Sequence, residues 1–262
     1  MSWLELRRGG ERLAAFDYGG DGPLVILLHG LAGYGREWDE TASWLLASHR
    51  VVALDQRGHG RSERKPVDMS RAAFVADVLA WLDHLLVDRA SIVGQSLGGH
   101  TAFLVAARHG DRVARLVVAE ASPVADPEAP TIVRKWLGAW PVPFSSRDAA
   151  TQFFGTGLWA EAWSAGLEET SDGLRPAFHI DQMVMALAES STKSYWDDWD
   201  RIAAPTLIVR GEAGLPLETA EEMKFRSPNA EVATIVGAKH DIHLEQPALW
   251  RAVVEPFLDS SA

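Results

Sequence analysis

A serine enclosed by glycines constrains the fold of this chain more than any other feature. The segment reads Gly94-Gln95-Ser96-Leu97-Gly98-Gly99. An apolar run at residues 89–93 predicts a short buried strand before it, and residues 97–107 predict a mostly apolar helix after it. Glycines at such a junction let strand and helix approach closely while the serine backbone is strained. The pattern therefore predicts a serine nucleophile at a helix N-terminus, where N–H groups favour negative charge. The alternative is a glycine-serine turn with no catalytic role, and the other motifs of the chain decide between the two.

Three further segments accompany this serine in a fixed order. An apolar strand ends in His29-Gly30, a second strand runs into the glycine-rich loop of residues 51–62, and residues 237–247 form a histidine-bearing loop. Together with the serine turn they resemble the α/β-hydrolase superfamily over the chain outside residues 123–202. The resemblance implies an α/β fold with a mostly parallel, doubly wound sheet of about eight strands and an inserted helical cap.

The hydrophobic pattern agrees with this fold class. From residue 24 onward strands and helices alternate, which predicts a mostly parallel sheet that is covered on both faces. Gly9-Gly10 predicts a turn between two further strands at an antiparallel edge. Strands are expected near residues 3–8, 12–18, 24–29, 50–55, 90–94, 113–120, 205–211 and 231–236. Helices are expected near residues 37–48, 71–87, 97–109, 217–226 and 246–258.

Residues 123–202 interrupt the alternation. They are rich in proline, show no convincing strand and contain six of the 11 tryptophans. We expect a helical cap here, with residues 1–122 and 203–262 as the hydrolase core. Each tryptophan most simply belongs to the cap's own core. Four of them are candidates for a pocket suited to an apolar, ring-containing small molecule. These are Trp136, Trp140, Trp159 and Trp163.

A serine nucleophile needs a base, and histidine is the side chain that accepts and returns a proton near neutral pH. His240 matches the family's position because it follows an expected strand and turn, and His243 is the competing candidate. With Asp241 these histidines have the residue types of a metal site, but no second cluster completes a ligand set. Neither a metal nor a cofactor is expected. His29 and His59 are more simply structural groups in their loops.

The usual position of the acid that orients this base carries no carboxylate. Relatives commonly place an aspartate three residues after the glycine that closes the strand at residues 205–211. Here Gly214 stands at that position. Carboxylates that remain as alternatives nearby are Glu212, Glu218 and Asp241.

Glu120 is the acid that we expect instead. It ends the strand at residues 113–120, and some branches of the superfamily carry the acid there. The end of that strand lies at the same sheet edge as Ser96, and a glutamate is long enough to reach the imidazole from this anchor. A strand-end carboxylate in water, or a site without any acid, is the alternative.

The resemblance also implies an oxyanion hole from two backbone N–H groups, those of Leu97 and Leu31. Ser96, His240 and Glu120 would then hydrolyse a carboxylic ester or lactone through an acyl-enzyme. A Ser-His-Glu set under a tryptophan-bearing cap is similar to lactone hydrolases of the zearalenone-degrading kind. A carbon–carbon bond (diketone) hydrolase is the nearest alternative. From other classes, a ligand-binding or signalling protein on this fold and a cofactor-free oxygenase or haloperoxidase-like enzyme stay open.

Composition limits the partners. The chain has 262 residues, 47% of them hydrophobic, and a net charge of −11. Nucleic acid and anionic membrane surfaces would repel this charge, so a small-molecule substrate is the expected partner. There is no cysteine, so a disulfide or a thiolate metal site is excluded. No apolar run is long enough for a bilayer and there is no signal-peptide pattern, so we expect a cytoplasmic protein. The oligomeric state stays open.

Overall fold

A computed structural model of the chain describes residues 1–260. In this range the strands are β1 (Ser2–Arg8), β2 (Glu11–Gly19), β3 (Leu24–Leu28), β4 (Arg50–Asp55), β5 (Ala90–Gln95), β6 (Val113–Ala119), β7 (Leu167–Thr170), β8 (Gly173–Pro176), β9 (Thr206–Gly211) and β10 (Ala230–Ile235). The α-helices are α1 (Asp39–Leu45), α2 (Arg71–His84), α3 (Leu97–Arg108), α4 (Ala129–Gly138), α5 (Arg147–Phe154), α6 (Gly157–Ala165), α7 (Ile180–Leu187), α8 (Trp196–Trp199), α9 (Leu217–Arg226), α10 (Ile242–Glu245) and α11 (Pro247–Asp259). Each of these helices is too short or too polar to cross a membrane.

The main sheet has eight strands in the order β1-β2-β4-β3-β5-β6-β9-β10. Strand β2 pairs antiparallel with β1 and β4, and the other pairs are parallel. Every residue of β3, β5 and β9 is buried, as expected for parallel strands that are covered on both faces. The predicted fold class, the antiparallel edge and all eight predicted strands are confirmed.

Two hydrophobic clusters cover the two faces of this sheet. Helices α2, α3, α8 and α9 contribute to one cluster, together with residues of β2 to β6. Helices α1, α10 and α11 contribute to the other, which includes Trp38 and Trp250. Because each face of a strand carries alternate residues, the two clusters share the same strands without sharing side chains. The sheet is therefore doubly wound, and its carboxyl edge is the place where the loops that follow β3, β5, β6, β9 and β10 meet.

The inserted segment, residues 123–202, leaves the sheet after β6 and returns before β9. It holds α4 to α8, and most of these helices surround a separate cluster that includes Trp140 and Phe154. The expectation of no strand in this segment is wrong, because β7 and β8 form an antiparallel hairpin. Its strands are only four residues long and are mostly partly buried, which leaves no alternating apolar pattern to detect. Trp196 and Trp199, in contrast, pack against the cluster beside the sheet.

The junction between β5 and α3 is the closest approach of a strand and a helix near the serine. A Cβ atom on Gly94 would lie 2.2 Å from the carbonyl oxygen of Gly98, and one on Gly98 would lie 2.1 Å from the carbonyl oxygen of Leu28. Ser96 sits between them with φ at 51°, a left-handed conformation that costs energy for a residue with a side chain. The glycines therefore allow the turn that lifts Ser96 above the sheet.

We predict that Gly94→Ala and Gly98→Ala each lower the free energy of unfolding by about 2 kcal/mol or more, because the new methyl group overlaps backbone atoms that cannot move away. Gly110→Ala is the control, since a Cβ there has no neighbour within 4 Å. Urea unfolding of the three variants measures the difference. Equal stability of Gly98→Ala and Gly110→Ala would contradict the close packing of this junction.

Candidate active site

Ser96 and His240 meet at the carboxyl edge of the sheet. The Oγ atom of Ser96 lies 3.0 Å from Nε2 of His240. Ser96 follows β5 directly, and His240 comes from the loop between β10 and α10. The side chain of His240 remains 56% exposed, so that its ring is reachable from outside the protein. The two residues that the sequence singles out as nucleophile and base are thus within hydrogen-bond distance.

Glu120 supplies the carboxylate on the other side of the imidazole. Its Oε2 atom lies 3.4 Å from Nδ1 of His240, which is a long hydrogen bond. The carboxylate is anchored by the backbone N–H of Gly211 at 2.6 Å and that of Leu215 at 2.9 Å. Glu120 itself has a φ of 52°, and its own N–H donates to the carbonyl of Val209 at 3.0 Å. The carboxylate is therefore held in place by the backbone that follows β9.

Gly214 explains how this carboxylate fits. A Cβ atom at Gly214 would lie 2.2 and 2.3 Å from the two carboxylate oxygens of Glu120, and 2.1 Å from the carbonyl oxygen of Lys239. Any side chain at position 214 would collide with the glutamate. Position 214, which commonly carries the acid in relatives, is a glycine here, and the carboxylate of Glu120 occupies the space that a side chain would need.

The other candidate carboxylates lie elsewhere. Glu212 points to the surface and accepts the N–H of Gly237 at 3.1 Å. Asp241 accepts the indole N–H of Trp159 at 2.7 Å. Glu218 lies in the first turn of α9 and is exposed. Of the four carboxylates that the sequence leaves open, Glu120 is the one that meets Nδ1 of His240.

The surroundings of His240 favour its protonated form. The protein groups around the ring displace part of its water, and this desolvation opposes the charge. The hydrogen bond to Glu120 and the negative charges of Asp241, Glu120 and Glu245 outweigh it and raise the pKa of His240. In the neutral ring, Nδ1–H donates to Glu120 and leaves the lone pair of Nε2 towards Ser96. The hydroxyl of Ser96 can therefore donate to His240, which is the arrangement that removes its proton.

His243, the competing base, is in a different environment. Its ring is buried and stacks on Trp38 with 4.0 Å between centroids. Its Nε2 atom lies 3.3 Å from Oε1 of Glu37, which is also buried. Burial lowers the pKa of His243 to about 4 and raises that of Glu37 to about 8, so both are neutral at pH 7. His243 is thus a packing residue beneath the loop that carries His240.

Two side chains that the sequence analysis missed hold the His240 loop. The amide of Gln95 donates from Nε2 to the carbonyl of His240 at 2.8 Å. The carboxylate of Glu245 accepts the N–H groups of Lys239, His240 and Asp241 at 2.5, 3.3 and 3.1 Å. The usual capping signal, a Glu three residues after a Ser or Thr, does not occur here, since Glu245 lies four residues after Asp241.

The candidate oxyanion-hole residues lie at the same place. Leu97 is the first residue of α3, and its side chain belongs to a small cluster against which Leu31 packs. The loop that carries Leu31 is fixed by histidines, as expected. Nε2 of His59 accepts the N–H of Ala32 at 3.1 Å, and Nε2 of His29 accepts that of Gln56 at 3.0 Å.

The cavity that Ser96 lines has a volume of about 140 Å³. Its wall combines apolar and polar side chains, among them Leu97, His100, Asp126, Leu187 and Ser190. Among the described residues, 1–260, no tryptophan lines this cavity. The aromatic lining expected from the sequence is therefore not found at this cavity.

The four candidate tryptophans have other surroundings. Trp140 and Trp163 pack against Phe154 inside the inserted segment, with ring centroids 5.0 and 5.8 Å away. Trp136 is 42% exposed, and Trp159 is bound to Asp241. Composition indicated their clustering, but it carried no information on which face of each helix points to the serine.

A family model for the alpha/beta hydrolase fold matches residues 23–247. The chain belongs to the alpha/beta hydrolase family. This hydrolase is 24% identical over 253 residues to a 2-(acetamidomethylene)succinate hydrolase of Mesorhizobium japonicum, over 92% of this chain and 90% of the relative. It is also 24% identical over 249 residues to esterase YbfF of Escherichia coli, over 87% of this chain and 91% of the relative. The crystal structure of E-2-(acetamidomethylene)succinate hydrolase has a TM-score of 0.88 at 22% identity and covers 99% of this chain and 100% of its own, which shows the shared fold.

We predict that Gly214→Ala lowers the pKa of His240. The added methyl group displaces the Glu120 carboxylate and removes the hydrogen bond that raises this pKa. NMR titration of the imidazole C–H signals measures the change, with Glu120→Gln as a reference for complete loss of the charge. Gly138→Ala, where a Cβ has no neighbour within 4 Å, is the control. An unchanged His240 pKa in Gly214→Ala would show that the two positions do not compete for space.

We predict that Glu37→Gln weakens the dependence of stability on pH. Because the folded pKa of Glu37 is about 8, the folded state keeps a proton that the unfolded state releases near pH 4 to 5. The free energy of unfolding of the wild type therefore falls from about pH 5 to 8, by up to about 1.4 kcal/mol per pH unit from this group. Urea unfolding at pH 5 and 8 should show a smaller fall in Glu37→Gln. Glu40→Gln, on the exposed side of α1, should behave like the wild type.

Proposed function

We propose that this hydrolase cleaves small carboxylic esters or lactones with Ser96 as nucleophile, His240 as base and Glu120 as the acid that orients it. The observation that carries the proposal is the continuous line of contacts from Ser96 Oγ to His240 Nε2 at 3.0 Å and from His240 Nδ1 to Glu120 at 3.4 Å. Hydrogen bonds of this length are common before a substrate tightens the site.

In the proposed reaction, Oγ of Ser96 attacks the carbonyl carbon while its proton moves to Nε2 of His240. Glu120 stabilises the imidazolium that forms and keeps Nδ1 protonated throughout. Collapse of the tetrahedral intermediate releases the alcohol, which takes the proton from His240, and leaves an acyl group on Ser96. Water then attacks the acyl carbon by the same route and regenerates the serine.

The N–H groups of Leu31 and Leu97 are the proposed donors to the oxyanion. Each such donor is typically worth about 3 kcal/mol in the transition state. Leu97 offers its N–H because it begins α3, where the first N–H groups have no partner within the helix. The histidines beneath the Leu31 loop support the proposal because they fix its backbone before any substrate arrives.

The size and polarity of the cavity favour a small substrate. Sites for drug-sized molecules usually measure about 300–1,000 Å³, and the cavity at Ser96 is about 140 Å³. Its mixed lining supports a short, partly polar ester over the apolar macrocyclic lactone that the zearalenone comparison suggests. A relative named as an esterase is consistent with ester cleavage.

We infer that the inserted segment acts as a lid, so that residues 1–122 and 203–262 form the core below it. Three contacts tie it to the core around the site. The hydroxyl of Tyr34 donates to the carbonyl of Ala162 at 3.0 Å, and Trp159 donates to Asp241 at 2.7 Å. Arg71 donates its backbone N–H to Glu189 at 2.6 Å.

We predict that Ser96→Ala lowers kcat/KM for a short ester by about a thousandfold or more, and that His240→Ala is nearly as damaging, because the triad acts as a unit. Glu120→Gln should lower kcat by orders of magnitude because it favours the wrong tautomer of His240. A panel of short p-nitrophenyl esters measures the rates, and a serine-directed phosphonate should label the wild type but not Ser96→Ala.

His243→Ala is the control for His240→Ala. It should lower the midpoint of thermal unfolding, because it leaves a hole next to Trp38, and change kcat/KM by less than about tenfold. Rapid ester hydrolysis by Ser96→Ala would refute the nucleophile, and failure of the wild type to react with the phosphonate would favour a binding protein on this fold.

A further inference from the structure

One turn of α3 beyond Ser96, His100 reaches the same cavity. Its backbone N–H donates to the carbonyl of Ser96 at 2.9 Å, which places the two residues on one face of the helix. His100 is only 8% exposed, and its ring lines the cavity. Its Nδ1 atom is enclosed and has no hydrogen-bond partner within residues 1–260. A buried polar side chain without a partner, beside the nucleophile, is a candidate for contact with a ligand.

The ring of His100 is held in position by its neighbours. Phe103 packs against it with 4.5 Å between ring centroids, and Tyr195 meets it edge-on at 4.8 Å. These contacts limit rotation of the imidazole, so that the orientation of the ring is fixed before a ligand arrives. A preorganised donor loses little entropy when it binds.

The surroundings also fix the proton on this ring. Burial, followed by the positive charges of Arg71 and Arg108, lowers the pKa of His100 well below its ordinary value, so the ring is neutral at pH 7. A proton on Nδ1 would be an enclosed donor without an acceptor, close to two cations. In the tautomer that carries the proton on Nε2, this nitrogen is the N–H donor of a ring that lines the cavity.

The neighbouring polar groups in the cavity do not duplicate this donor. The hydroxyl of Ser190 donates to the carbonyl of Leu187 at 3.2 Å. The carboxylate of Asp126 can only accept, and it already accepts the N–H of Glu128 at 3.1 Å. Ser122 accepts the N–H of Val124 at 3.4 Å and still has a hydroxyl proton to donate. The experiment therefore has to distinguish donation by Ser122 from donation by His100.

We propose that His100 is a specificity-determining residue whose Nε2–H donates to a second oxygen of the substrate, a few bonds away from the scissile carbonyl. Four residues, about 6 Å at the rise of 1.5 Å per residue, separate His100 from Ser96 along the helix, which suits an oxygen on the third carbon of an acyl chain. The substrate class is then short 3-hydroxy or 3-oxo esters and the corresponding lactones. This inference rests on the proposed function, since it assigns a substrate to the same site.

The experiment compares kcat/KM for methyl butanoate, methyl 3-hydroxybutanoate and methyl 3-oxobutanoate. We expect the wild type to prefer at least one oxygenated ester by about tenfold, the value of one hydrogen bond. His100→Phe keeps an aromatic ring between Phe103 and Tyr195 but has no N–H, so the ratio of kcat/KM for the oxygenated ester to that for methyl butanoate should fall about tenfold from its wild-type value. His100→Gln retains a donor and should keep part of the preference. Because each ratio is compared between variants, the intrinsic reactivity of the esters cancels.

Two controls complete the test. His84→Phe changes an exposed histidine on α2 and should leave the ratio as in the wild type, and Ser122→Ala should do the same. If His100→Phe does not fold, as judged by circular dichroism, His100→Leu replaces it. An unchanged ratio in the folded variant without a donor, or loss of the ratio in Ser122→Ala, overturns the role of His100. Ser96→Ala on the same esters tests the proposed function separately, because hydrolysis that survives in that variant overturns the nucleophile itself.

Discussion

The contact between the end of β5 and the first turn of α3 is the constraint on which the site depends. Gly94 and Gly98 bring strand and helix so close that a single methyl group would overlap the backbone. The strain of Ser96, at φ 51°, is sustained by this packing and by the bond from its N–H to the carbonyl of Ala119 at 2.8 Å. Since α3 starts directly at Leu97, the same turn fixes the serine hydroxyl, a free helix N–H and the direction of His100.

A second constraint links two neighbouring strands of the sheet. Glu120 leaves β6 with a positive φ, and its carboxylate binds the N–H groups that follow β9. Gly214 has to lack a side chain for this carboxylate to enter. In this chain the acid and the glycine therefore form a matched pair, and the glutamate closes the loop after β9 as well as reaching His240. Replacement of Glu120 or Gly214 alone would therefore disturb both the loop after β9 and the contact with His240.

The sequence predicted the features that depend on short local patterns, namely the strands of the main sheet and the turn at Ser96. Apolar runs bounded by glycine and polar residues located all eight strands of the main sheet, and the glycines around Ser96 located the turn. It could not predict the hairpin of β7 and β8, because strands of four residues are too short to show a period. Nor could it predict the surroundings of Trp140 or Trp159, since these depend on how the helices of the inserted segment pack. At position 214 the sequence shows only that the usual acid is missing. The structure shows that a side chain there would overlap the carboxylate of Glu120.

The environments of the histidines decide which of them can act as a base. Burial is the largest of the causes that lower the pKa of four histidines. They are His29, His59, His100 and His243. The carboxyl group of Glu37 next to His243 does not raise the pKa of this histidine, because burial raises the pKa of Glu37 to about 8 and keeps it neutral at pH 7. His240 differs because a hydrogen bond to Glu120 and the negative charges of Asp241, Glu120 and Glu245 outweigh its desolvation and raise its pKa. The surroundings of each ring, and not the residue type alone, therefore set which histidine in this chain takes up a proton near neutral pH.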